Sequence, residues 1–208
     1  AATDARRRIP FLPIGAALAL SALAFLLGRA LAPGGSSGSA SLTFQQLTDD
    51  AGVEEDPSMS PDGASVAFTR ISQGTTHIYV QRIGGRTAIP VAADPARGER
   101  APAFSPDGAS IAFHQSGGNG GIFIVGATGE SPRRVTDVGF HPAWSPDGRR
   151  LVFCTEEITS PQSRTSNSAL WVVEAKGGAP RKILDGDAVQ PAWSPSGRRI
   201  AYWAVGAN

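Results

Sequence analysis

Past residue 42 the apolar residues fall in short runs separated by turns containing glycine and proline. Four ungapped segments carry the pattern: 57–68 (PSMSPDGASVAF), 102–113 (PAFSPDGASIAF), 142–153 (PAWSPDGRRLVF) and 191–202 (PAWSPSGRRIAY). In Ser-Pro-Asp-Gly the proline fixes φ, the aspartate bonds nearby amides and the glycine accepts positive φ, which predicts a tight hairpin. Before each turn stands an apolar residue, Met59, Phe104, Trp144 or Trp193. After it come the pairs Val66/Phe68, Ile111/Phe113, Leu151/Phe153 and Ile200/Tyr202, with Ala67, Ala112, Val152 and Ala201 between them. A small apolar residue where a half-exposed strand would carry a polar one means that both faces are covered. Third strands are expected at 78–80, 122–125 and 170–173, and more polar fourth strands, suited to an outer edge, at 87–89, 133–136 and 181–184.

The repeated serines lie at 60, 105, 145 and 194, steps of 45, 40 and 49 residues, in the range of a four-stranded propeller blade. The expected fold is therefore all-β: an incomplete β-propeller of about three and a half blades over 42–208. The last unit ends after its second strand, so the remaining sheets are expected downstream of Asn208, and 44–48 (FQQLT) reads as an outer strand for the blade that closes the ring.

The chain has 19 Lys and Arg against 18 Asp and Glu. Setting aside Arg6, Arg7, Arg8, Arg29 and Asp4 leaves 15 basic and 17 acidic residues from Leu42 onward, a net charge of −2. That region lacks the basic footprint of nucleic-acid binding, so no nucleic-acid partner is expected for it. A lone cysteine, Cys154, excludes an internal disulfide and a zinc cage.

Residues 9–28 carry no charge, and at about 1.5 Å per residue they span roughly 30 Å, the thickness of a bilayer. The expected layout is a basic cytoplasmic flank at 1–8, a transmembrane helix at 9–31, a Gly/Ser-rich linker at 32–41 and an extracytoplasmic domain at 42–208. The alternative is a cleavable signal peptide ending at Ala30-Leu31-Ala32. Either way the remainder crosses the membrane.

The Ser-Pro-Asp-Gly repeats resemble the WD-repeat-like units of TolB-type β-propellers, with Ser196 replacing the aspartate in the fourth copy. The basic flank, single apolar segment, small-residue linker and FQQLT phrase are similar to the C-terminal half of bacterial membrane-bound Ser/Thr protein kinases. That resemblance implies a sensory or protein-interaction propeller on the outer side of the inner membrane, with ATP and Mg needed only if a kinase domain lies upstream. A winged-helix regulator with the same layout is a near variant. Two further readings are a periplasmic TolB-like protein-interaction protein and the propeller half of a prolyl-oligopeptidase-like serine hydrolase.

No catalytic, cofactor or metal constellation is expected, since the histidines His77, His114 and His141 fall in three different units and no nucleophile elbow or phosphate loop is present. Candidate binding residues are those just before the motif prolines, read as loops leading into the first strands: Glu55 and Asp56, Arg100, His141 and Gln190. A protein or small ligand is the expected partner there, because insertions on one face mark a binding face and 154–169 is the longest connection. His77 and His114 read as loop residues, Cys154 as a packed thiol, and Glu156-Glu157 as a solvated pair.

Overall fold

The computed structural model describes residues 44–48, 52–92, 97–117, 120–130, 132–158, 164 and 167–204. The first sheet runs β1 (Val53–Met59), β2 (Ser65–Ser72), β3 (Thr75–Arg82) and β4 (Ala88–Ala92), antiparallel and in chain order. The second is β5 (Glu99–Phe104), β6 (Ser110–Gln115), β7 (Gly121–Gly126) and β8 (Arg133–Arg134). A third repeats the order with β9 (Phe140–Trp144), β10 (Arg150–Cys154), β11 (Leu170–Glu174) and β12 (Arg181–Leu184), and β13 (Val189–Trp193) with β14 (Ile200–Trp203) form a two-stranded fourth. The first strands β1, β5, β9 and β13 lie side by side while the outer strands of successive sheets barely meet, so the sheets fan out from a common inner edge. This is the expected all-β partial propeller. The expected helix at 9–31 lies outside the described residues, among which no helix is long and apolar enough to cross a membrane.

The fan is held by alternating large and small side chains on facing sheets. Phe113 and Ile111 of β6 press on Ala67 of β2 and Ile78 of β3, while Ala112 on the opposite face of β6 meets Leu151 and Phe153 of β10. Phe113, Phe153, Ala67 and Ala112 are fully buried. The small residue of one sheet leaves room for the ring of the next, so the sheets approach closely at these positions. Cys154 and Leu170 of the third sheet meet Val189 and Ile200 of the fourth in the same way.

The Ser-Pro-Asp-Gly turns repeat their bonds. In the second unit the Ser105 hydroxyl donates to Asp107 at 2.5 Å and accepts the Ser110 amide at 2.9 Å, while Asp107 accepts the Ala109 amide at 3.0 Å. Gly108 closes the turn at φ 72° and donates to the Ser105 carbonyl at 2.8 Å. The serine hydroxyl first, and the amide second, hold Asp62, Asp107 and Asp147 below the usual carboxylate range. In the fourth unit a hydroxyl pair, Ser194 and Ser196 at 3.2 Å, replaces the aspartate bond, but Gly197 keeps φ at 69°. Successive turns also touch: a Cβ on Gly108 would lie 3.5 Å from Pro61, one on Gly148 3.8 Å from Pro106, and one on Gly197 3.7 Å from Pro146.

Two expectations need correction. The residues before the motif prolines are not loops but the opening residues of β1, β5, β9 and β13. The connection from β2 to β3 shrinks to Gln73 and Gly74, both at positive φ, because β2 and β3 extend further than their apolar residues indicate and a two-residue turn of that hand suits their twist. Residues 44–48 pair with none of the described strands, and the closing blade for which they read as an outer strand is not among the described sheets; the Leu47 carbonyl accepts a bond from the side-chain amide of Gln81 at 2.6 Å, and the Thr48 hydroxyl donates to Glu54.

Ser105 is 3% exposed, so replacing it with alanine leaves the Ser110 amide and the Asp107 carboxylate without their shared partner. Ser105→Ala is expected to lower unfolding stability by about 1–2 kcal/mol in urea titration at neutral pH.

Candidate functional site

Each first strand carries the same irregularity. In β1, Asp56 and Pro57 together oppose Phe68; in β5, Ala101 and Pro102 oppose Phe113; in β9, His141 and Pro142 oppose Phe153; in β13, Gln190 and Pro191 oppose Tyr202. Two residues facing one is a β-bulge, and proline, with no amide to give to the ladder, is where one is tolerated. The residue before each proline is left-handed: φ is 53° at Asp56, 52° at Ala101, 51° at His141 and 47° at Gln190. A non-glycine residue there is uncommon, and four at equivalent positions are held by the fold.

The bulge turns the amide of that residue away from its own sheet and toward the preceding one. The Ala101 amide reaches Thr69 Oγ1 at 3.3 Å and the His141 amide reaches His114 Nδ1 at 3.4 Å, while the Cys154 thiol donates to the carbonyls of Phe140 at 3.4 Å and Glu156 at 3.3 Å. Thr69, His114 and Cys154 hold one position, the residue after the aromatic of the second strand. Two unlike side chains, a hydroxyl and an imidazole, thus supply the same acceptor between successive sheets. Burial pushes the Cys154 thiol up, so it serves as a neutral packed group, as expected.

At the junction of the first three sheets this clasp continues into a charged chain. Because Nδ1 of His114 accepts the His141 amide, its proton sits on Nε2 and points at Glu157 Oε1, 3.3 Å away. Glu157 also accepts from Ser116 at 3.2 Å and lies 3.9 Å from Arg100, whose guanidinium donates to Glu55 at 2.8 Å. The bond from His114 holds Glu157 below the usual carboxylate range, with Ser116 and Arg100 adding to it against partial burial. His141 Nε2 accepts the Ile158 amide at 3.2 Å, and its ring lies 5.4 Å from that of His114. Burial first, and the neighbouring His114 second, press the His141 pKa down to about 4, against the pull of Asp56 and Glu157. Both rings have their nitrogen lone pairs committed to amides. Among the described residues no three His, Cys, Asp or Glu side chains converge as metal ligands.

The fold thus gathers Glu55, Asp56, Arg100 and His141, three of them linked through Glu157 and His114, at the end of the sheets where the first strands begin. Gln190 stands apart, its Oε1 accepting the Trp203 indole at 2.7 Å. Reading the sequence missed His114 and Glu157. His114 is not a loop residue but a fully buried member of β6, and His77 lies in β3, 3.5 Å from the buried carboxylate of Glu99. Glu156 and Glu157 are not a solvated pair: Glu156 is 8% exposed and bonds Arg164, which also grips Asp187 and lies over the Trp203 ring. The alternation that buries Ala112 toward the third sheet also points His114 there, and that signal was available; nothing in the sequence placed Glu157.

The lowered His141 pKa has a direct consequence. The unfolded chain takes up a proton near 6.5 and the folded one only near 4, so this contribution to stability is complete above pH 6.5 and is lost as pH falls toward 4. Urea titrations from pH 7 to 4 are expected to show a loss of roughly 3 kcal/mol, and His141→Gln is expected to flatten that segment.

Residues 42–205 match the family of the TolB beta propeller domain. The chain is 40% identical over 110 residues, 51% of its length, to the Tol-Pal system protein TolB of Bordetella pertussis, and equally to that of Bordetella bronchiseptica. It spans a quarter of the length of those relatives. Among solved structures it resembles a putative TolB from Agrobacterium tumefaciens, at 24% identity and a TM-score of 0.62 over 74% of this chain and 60% of that one. The TolB of Acinetobacter baumannii gives 23% and 0.62 over 76% and 39%, a likeness that speaks to the fold. With the match covering most of its residues, the chain belongs to the TolB beta propeller domain family.

Proposed function

We propose that this chain is the propeller part of a TolB-like protein-interaction protein, and that it contacts its partner at the end where the first strands begin. The observation that carries the reading is the chain Glu55–Arg100–Glu157–His114–His141, which links the first three sheets at one end and leaves Glu55 partly open to solvent. Exposed charge held on a rigid frame gives specificity and steers encounter without rearrangement on binding. The opposite end is made of repeated turns whose polar groups bond one another. The relatives in Bordetella are named as proteins of a Tol-Pal system, which supports a partner that is itself a protein. Asp56 and Gln190, at bulge positions of their own sheets, complete the surface we assign.

Extracytoplasmic placement follows from reading 9–31 as a spanning or exported segment. An upstream kinase with its ATP and Mg rests on residues 1–48 by resemblance alone, and the interaction reading does not need it. The test is direct titration of a verified partner against variants of each end. Charge reversal at Asp56 and Arg100 is expected to weaken binding at least about tenfold, whereas Arg149→Glu at the turn end leaves it unchanged. Equal affinity for the Asp56 and Arg100 variants and the natural chain overturns the assignment.

A further inference from the structure

Beside the charged chain, a cleft of about 570 Å³ opens between the second and third sheets. Its walls include Phe140, Val138, Trp171 and Pro180, and the carboxylates Asp137 and Glu157 belong to its lining. The volume is that of a ligand site, and the lining is mainly apolar with a few polar groups. Among the described residues no lysine, arginine or histidine lines it. The cations nearby have partners: Arg134 donates to the carbonyls of Thr136 and Gly120, Lys182 to Asp185, Arg97 to Gln115 and Arg100 to Glu55, with Glu157 itself 3.9 Å from Arg100 and bonded to His114 and Ser116. Asp137, by contrast, is exposed and makes no ion pair among the described residues. The Lys182 ammonium stands 5.5 Å over the Trp171 ring, so that ring already accepts a cation.

With Asp137 outside any ion pair among the described residues and an aromatic wall that already takes a cation at Trp171, the cleft complements one kind of side chain. We propose that this cleft receives an arginine side chain from an extended segment of the partner protein, its guanidinium against Phe140 and Trp171 and its N–H groups toward Asp137 and Glu157. A planar guanidinium suits both surfaces at once, because it stacks on rings and forks onto carboxylates. The cleft holds more than one side chain, which leaves room for backbone on either side of the arginine. The proposal rests on the interaction reading above and adds the chemistry of the partner.

The test uses the full chain and four capped tripeptides, acetyl-Gly-X-Gly-amide with X as arginine, lysine, norleucine or glutamate, titrated by NMR at low salt. Arginine is expected to bind most tightly, lysine next, and glutamate least. Asp137→Asn, on an exposed side chain that packs nothing, is expected to weaken the arginine peptide roughly three- to tenfold and leave norleucine unchanged; added salt weakens arginine selectively. Equal binding of norleucine or glutamate, no saturable binding of the arginine peptide, or an unaltered Asp137→Asn variant each overturns the proposal. These probes need no natural partner, so their failure leaves the interaction reading standing, and failure of the Asp56 and Arg100 variants leaves the peptide result standing.

Discussion

Everything in this propeller arc depends on how a strand that must contain proline is kept in a sheet. The proline before each turn motif has no amide to donate, and the ladder answers with a bulge that throws the preceding residue into left-handed backbone. The displaced amide would be costly if buried without a partner. At Ala101 and His141 it finds one on the neighbouring sheet instead of its own, at Thr69 and His114. A local defect thereby becomes the bond that sets one sheet against the next, at the inner edge where the sheets lie closest.

The same device explains why chemistry gathers at one junction. A hydroxyl and an imidazole serve equally as acceptors, but only the imidazole has a second nitrogen to pass the connection on. His114 therefore links the clasp to Glu157 and, through Arg100, to Glu55, while Thr69 bonds back to Asp56 and Cys154 ends in backbone carbonyls. The long connection after β10 is drawn in by the same junction, with Glu157 on His114 and the Ile158 amide on His141. Its far side is held by the buried pairing of Arg164 with Glu156 and Asp187. Packing and electrostatics are in this sense one arrangement.

Much of this was legible in the sequence where a residue type has a single mechanical use. Ser-Pro-Asp-Gly, repeated at blade spacing, declared the hairpins, and Ala67, Ala112 and Val152 between larger apolar residues declared sheets covered on both faces. Asp56, Arg100 and His141 read as loop polarity, because a residue before proline looks like a strand's approach when the bulge that admits it is unseen. His114 was legible in principle, one residue past Phe113 and on the face of Ala112. Glu157 was not, since its place depends on how a long connection folds back, and no periodicity reports that.

The central claim is that the amides of Ala101 and His141 are clasped by the preceding sheet. Residue-resolved amide hydrogen exchange under native conditions tests it most directly. The account predicts that these two amides exchange as slowly as those of Ala112 and Phe153 in the strand cores. Exchange at the rate of exposed turn amides such as that of Gly74 would contradict it.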